Sequence, residues 1–248
     1  MLRKLKRILP TIVSAVLCVT MAFGIAASAA GNKTVFSDTQ SLTPLKYNTT
    51  SVKWLKKYSE KDSKSTVSYS KSRTKKFLDR ILKESGKDSP ELALGLTTQN
   101  NFLYFACKGN DKLKIVTCVD DETTVMYVAD DKVTMLDPES KTKVETESEG
   151  LSLEGFASIM TDNFDFDISE NEKGKIFKLK SNDKIYYYEE FECDEYDRVG
   201  FIFTEKGAPI AMMVDDEYYC LKYSLNVKDT EFDIPTGYKT VDFDDFEY

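Results

Sequence analysis

The 248-residue chain has no histidine, one tryptophan, five cysteines, six prolines and eleven glycines. Each scarcity removes a class of chemistry. Without histidine, Ser-His-Asp and Cys-His relays and every imidazole proton shuttle are excluded. The cysteines show no Cys-x-x-Cys spacing, so a catalytic zinc site and a bound cofactor are not expected. No G-x-S-x-G elbow, S-x-x-K pair or phosphate-cradling glycine loop occurs. Asp165-Phe166-Asp167 resembles the start of a calcium loop. However, Glu170 stands where glycine is needed and Ile176 where glutamate is needed, so no metal site is expected there. Carboxylates, by contrast, are abundant. Asp120, Asp121, Glu189, Glu190, Asp215 and Asp216 form adjacent pairs, which read as hairpin tips or solvated strand faces rather than as a glycosidase pair.

What is present begins with an address. Arg3, Lys4, Lys6 and Arg7 precede the apolar run Ile8–Ala26, and Ala27-Ser28-Ala29 supplies small residues for cleavage. Residues 1–30 therefore read as a secretory signal peptide cut near Ala29 or Ala30, which makes the protein extracellular or envelope-associated. The remaining chain carries 30 Lys and Arg against 42 Asp and Glu. That excess of negative charge argues against nucleic acid, whose binding depends on neutralising phosphates. The charge is uneven: residues 31–90 have 14 basic and 6 acidic residues, and residues 91–248 have 16 and 36. A basic arm precedes an acidic body, and the arm offers a surface for an anionic envelope. Four cysteines follow the signal, Cys107, Cys118, Cys193 and Cys220, each in an apolar strand run. An exported chain with an even number permits disulfides, so buried thiols and bridges both stay open.

Residues 31–72 are rich in Ser, Thr and Lys and read as a leader or linker, with a short helix at Val52–Tyr58 and Trp54 as a docking anchor. A single domain is expected over residues 73–248. Thr74–Ser85 is a helix with Phe77, Leu78, Ile81 and Leu82 on one stripe and Gly86 at its end. Strands follow, first at Asn101–Lys108, Leu113–Val119, Thr123–Ala129 and Val133–Asp137. Leu153, Phe156, Ala157 and Met160 then mark a mid-chain helix within Gly150–Asp162. A second meander runs from Ile176 to Asn226.

Turn positions predict which residues share a face. With Asp130-Asp131 as a two-residue turn, Met126 opposes Met135 and Val128 opposes Val133. With Lys206-Gly207 and Asp215-Asp216 as turns, Phe203 opposes Ile210 and Phe201 opposes Met212. Met212 in turn opposes Tyr219, and Ile210 opposes Leu221. Phe201, Phe203, Ile210, Met212, Tyr219, Leu221 and Tyr223 then line one side, with Thr204, Lys222 and Ser224 on the other. About ten strands with only two helices leave an apolar face that must be covered or must bind something apolar.

Two stretches carry a resemblance to a known family. "VMYVADDKVTMLDPESKTK" (Val125–Lys143) is like a displayed-residue, hairpin and Asp-Pro strand pattern. "FDIPTGYKTVDF" (Phe232–Phe243) is like an F-x-(I/L)-P-x-G-(Y/F) tail. With the order of elements, they make residues 73–243 resemble the LolA-like lipoprotein-carrier superfamily. The resemblance implies an α+β fold: an antiparallel, strongly curved half-barrel sheet of about ten strands, with the N-terminal and mid-chain helices over its concave side. It also implies a lipid or other hydrophobic small molecule as ligand, lined by Met126, Met135, Leu153, Phe156 and Met160 together with the seven residues above. The expected function is therefore non-enzymatic binding of an apolar ligand. An envelope interaction or sensor protein whose sheet is filled by its own side chains is the alternative, and a carboxylate-dependent hydrolase the third.

Overall fold

The computed structural model describes residues 47–119, 122–147, 164–194 and 196–242. The signal segment, Leu153, Phe156 and Met160 of the expected mid-chain helix, and Asp120 and Asp121 lie outside them.

Two antiparallel meanders build the sheet. The first comprises β2 (Glu91–Thr97), β3 (Phe102–Lys108), β4 (Lys112–Val119), β5 (Glu122–Ala129), β6 (Lys132–Asp137) and β7 (Thr142–Glu147). The second comprises β8 (Lys173–Ser181), β9 (Lys184–Phe191), β10 (Val199–Thr204), β11 (Pro209–Val214) and β12 (Glu217–Ser224). β12 pairs with β2, so the last strand of the second meander joins the first strand of the first. Short strands β1 (Thr66–Ser68) and β13 (Lys239–Thr240) flank the two ends, β13 parallel to β7. Among the described residues the result is a mixed, open sheet of 13 strands with two helices, an α+β fold larger than the ten strands expected. Two- and three-residue strands such as β13 and β1 have no periodicity to read, which accounts for part of the difference.

The turns explain the register. Asp130 and Asp131 have φ of 50° and 58°, and Asn182 and Asp183 have 48° and 59°. These are left-handed pairs that match the twist of flanking strands, and Asn and Asp tolerate them well. The first turn sets Met126 against Met135 and Val128 against Val133, as expected. Phe201 likewise meets Met212, and Met212 meets Tyr219.

The Lys206-Gly207 turn departs from expectation. Phe203 lies opposite Pro209, with an extra residue inserted between Pro209 and Ala211. Pro209 brings no N–H to the ladder and opens β11, a position where proline and bulges are tolerated. The bulge turns Ile210 to the other face, where it packs with Ala211 and Ile202. Ile210 therefore does not line the side shared by Phe201 and Phe203.

The segment expected to be a leader is in part folded onto the sheet. Helix α1 (Thr49–Ser59) starts where the Asn48 side chain accepts hydrogen bonds from the Thr50 and Ser51 N–H groups. It packs Leu55, Trp54 and Tyr58 onto the face formed by Leu179, Tyr188, Ile202 and Met213. Trp54 meets Tyr186 at 5.0 Å and Tyr58 meets Phe177 at 5.0 Å. Helix α2 (Arg73–Ser85) is capped by the Ser72 hydroxyl and ends at Gly86, whose N–H reaches the Leu82 carbonyl. It lies on the opposite face from α1.

After β12 the chain becomes a strap across the α1 side of the first meander. Val227 and Phe232 bury against Ala93 and Ala106, and Tyr238 packs beside Phe102, Val116 and Leu136. Lys108 and Lys112 both hold Asp229, at 3.0 and 2.8 Å.

Candidate functional site

Strand alternation puts every second residue of both meanders on the α2 face. Leu94, Leu103, Ile115, Met126, Met135 and Val144 line the first meander there, and Phe191, Phe201, Phe203, Met212, Tyr219 and Leu221 the second. They form one continuous apolar cluster that crosses the β2–β12 seam. Of the expected lining, Met126, Met135, Phe201, Phe203, Met212, Tyr219 and Leu221 are buried on this face, and Tyr223 packs at its edge.

Helix α2 and residues Phe164–Ile168 supply the cover. Phe77 stands edge-on to Phe201 at 5.6 Å and to Tyr223 at 5.1 Å. Phe166 reaches Phe201 from the other side at 6.3 Å. Edge-to-face packing of this kind adds about 0.5–1.5 kcal/mol per pair beyond burial. Polar groups sit at the rim. The Tyr219 hydroxyl donates to Glu217 at 2.7 Å, and burial pushes its ionisation well above the usual tyrosine range.

Glu189 holds the start of α2. It is fully buried, contrary to the solvated position expected for it. Its Oε2 accepts from the backbone N–H groups of Arg73 and Thr74 and from the Thr74 hydroxyl, at 2.9, 3.0 and 3.0 Å. The Arg73 guanidinium donates to Oε1 at 3.2 Å and lies over the Tyr187 ring at 3.6 Å. A carboxylate at a helix N-terminus satisfies the orphan amides and complements the helix dipole. The sign was in the sequence: Glu189 shares the phase of Tyr187 and Phe191, not that of solvent. Glu190, one residue on, is buried on the opposite face, where it takes a hydrogen bond from Tyr188 and an ion pair from Lys175 at 2.8 Å. The two carboxylates therefore cannot act on one substrate.

A second buried charge lies under the strap. Lys114 is 1% exposed, donates to the Glu231 carbonyl at 3.1 Å and to its carboxylate at 3.2 Å, and stands over the Tyr127 ring. Burial lowers its pKa against the opposing pull of Glu231. The amine is enclosed by the strap it fastens. Among the described residues Cys107, Cys118, Cys193 and Cys220 form no disulfide; the Cys193 thiol donates to the Tyr196 carbonyl at 3.1 Å, and burial pushes Cys107 up to about 11. Among the described residues no group of three or more Cys, Asp or Glu is placed to hold a metal ion. Nor is any described helix long and apolar enough to cross a membrane.

No family model matches the chain, and no curated protein matches it. Among solved structures, the crystal structure of an uncharacterized conserved protein from Thermus thermophilus is similar at a TM-score of 0.31 and 11% identity. That match covers 68% of this chain and 99% of the other. So slight a likeness assigns neither fold nor function.

Proposed function

We propose that the protein is an exported, non-enzymatic carrier or binder of a lipid or other apolar molecule, held on the α2 face of a sheet curved as a half-barrel, as in the LolA-like proteins it resembles. One observation carries this reading: a single apolar surface runs unbroken through both meanders, from Val144 on β7 to Phe191 on β9. An acyl chain is matched by a long apolar surface of this kind, on which Glu189 lies at the end where α2 begins. In this reading α2 is the lid, Glu189 its fastening at one end, and Met126, Met135, Phe203 and Met212 the contact residues.

The second reading is an envelope interaction or sensor protein whose face is filled by its own side chains. The seating of Phe77 and Phe166 on Phe201 favours it, because those rings occupy the place a ligand would take. Native mass spectrometry with organic extraction, on protein purified from its own envelope without detergent, separates the two. A discrete added mass that extracts as lipid supports the carrier. A bare chain mass with α2 in place supports the self-filled sensor and rejects the carrier.

A further inference from the structure

The geometry points to a membrane-docking edge on the β8 side of the sheet, made of lysines from three elements and suited to an anionic lipid bilayer. The elements come together by backbone contacts. After α1 the chain runs along β8: the Ser63 hydroxyl donates to the Ile176 carbonyl at 2.9 Å, and the Ile176 N–H donates to the Ser65 carbonyl at 3.1 Å. Thr66 then pairs with Lys175. Tyr58, stacked on Phe177, marks where the end of α1 meets the same strand. The edge of β8 is thereby bordered by lysines from both sides of the sheet. Lys178 and Lys180 alternate with Phe177 and Leu179 and so lie on the α2 side, while Lys184 across the hairpin has the phase of Tyr186 on the α1 side, where Lys57, Lys61 and Lys64 follow the end of α1. With a rise of about 3.3 Å per residue, the strip from Ile176 to the hairpin tip spans roughly 20 Å.

All six lysines are exposed, and none has an ion-pair partner among the described residues. Lys75, Lys87, Lys108, Lys112, Lys114, Lys143 and Lys175 each hold a carboxylate, so the strip's charge is not spent on the protein's own acids as theirs is. Only Glu60, Asp62 and Asp183 interrupt the strip. It is thus a cationic edge on a chain of net charge −8. Lys57 and Lys61 bracket the Tyr58 ring at 5.3 and 5.8 Å, and that ring, packed on Phe177, holds them at the β8 edge. The cations are lysines on a strand edge, mobile point charges rather than arginine forks in a cleft. They match a diffuse surface potential better than one bound phosphate.

The inference rests on the proposed export and lipid-binding role only for its cellular setting; it gives that role a place to collect or deliver its ligand. Each lysine near an anionic surface contributes roughly a five-fold factor in partitioning, which screening by salt removes. The test is co-sedimentation of the exported chain with phosphatidylcholine vesicles containing phosphatidylglycerol, against pure phosphatidylcholine. The expected result is binding to the anionic vesicles only, lost at high salt. It should weaken about 100-fold in a Lys178→Gln, Lys180→Gln, Lys184→Gln variant and be unchanged in Lys132→Gln, Lys206→Gln. Gel filtration on the same samples reads whether the lysines instead guard the strand edge against self-association. A triple variant that binds vesicles normally but self-associates overturns the docking edge. So does equal binding to neutral vesicles, or capture by an anionic wall polymer with no vesicle binding. Retained lipid is measured separately, so loss of docking with lipid still bound, or the reverse, shows which of the two proposals has failed.

Discussion

The two faces of the sheet are built in different ways. The α2 face is one apolar cluster, continuous through both meanders and held by packing that has no preferred direction, with Glu189 tying the start of α2 at one end. The other face is divided into three smaller clusters, and its covers are tied down by named polar contacts. Arg198 donates to the Ser59 carbonyl at the end of α1 and pairs with Asp216. The Asn48 N–H points at the Cys220 sulfur. Lys108, Lys112 and Lys114 hold the strap. A cover tied by directed contacts at one end only can shift over the rest of an apolar face, whereas one fastened along its length has a single arrangement. The exchangeable side is the one assigned to the ligand.

Substitutions can break this contrast at four strengths. The largest effect is expected from Phe201→Ala on the α2 face, where a fully buried ring touches both Phe77 and Phe166. It should cost about 3–5 kcal/mol, read as a lower denaturation midpoint with an unchanged slope. A loss below about 1 kcal/mol would mean that this face is loosely filled, contrary to its burial. Next is Lys114→Ala, which removes the cation facing the Glu231 carboxylate under the strap, at about 3 kcal/mol. Lys114→Met, which keeps the packing, should recover part of that loss if the Glu231 side chain turns outward.

Trp54→Ala removes a half-buried ring from α1 and should cost about 2 kcal/mol. Its hydrogen-exchange signature should be confined to residues 49–59, and uniform loss of protection would show α1 to be part of the global unit.

The smallest effect concerns Asp229, whose carboxyl is drawn down to about 2 by hydrogen bonds from Lys112 and Lys108. A carboxyl lowered on folding lends its stability fully above its ordinary value near 3.8 and loses it as pH falls through about 2. Strap protection, corrected for intrinsic exchange, should therefore hold from neutrality to about pH 4 and decline below it. Asp229→Asn should lack that decline, and an identical acid profile in the variant would assign the transition to other carboxyls.

Much of this could be read from residues. Asp130-Asp131 specified a turn of known length, and a turn of known length fixes register, so the Met126–Met135 pair followed. Ile210 did not follow, because a bulge depends on how Pro209 meets the ladder rather than on alternation. Segment 47–72 looked like a linker because lysines and serines surround Trp54, Leu55 and Tyr58. Three apolar side chains suffice for a helix when a sheet is there to receive them, and composition does not report the receiving surface. Glu189 was hidden by the number of other carboxylates. Its phase placed it inside, but only the fold shows the amides it binds. The ligand, if one is held, leaves no motif, since an apolar surface is written in the same letters as a core.

The pairing of β12 with β2 has a consequence for how the chain reaches this state. Each meander can zip from its own hairpins, but the seam joins residues 93–97 to residues 220–224, across most of the body. That closure carries the loop entropy of everything between, so it belongs late in folding and makes the process slow. Until it forms, β2 and β12 each present an open edge beside a broad greasy surface. A newly made chain would spend that interval exposed to aggregation, and would benefit from a chaperone that covers both halves before they meet.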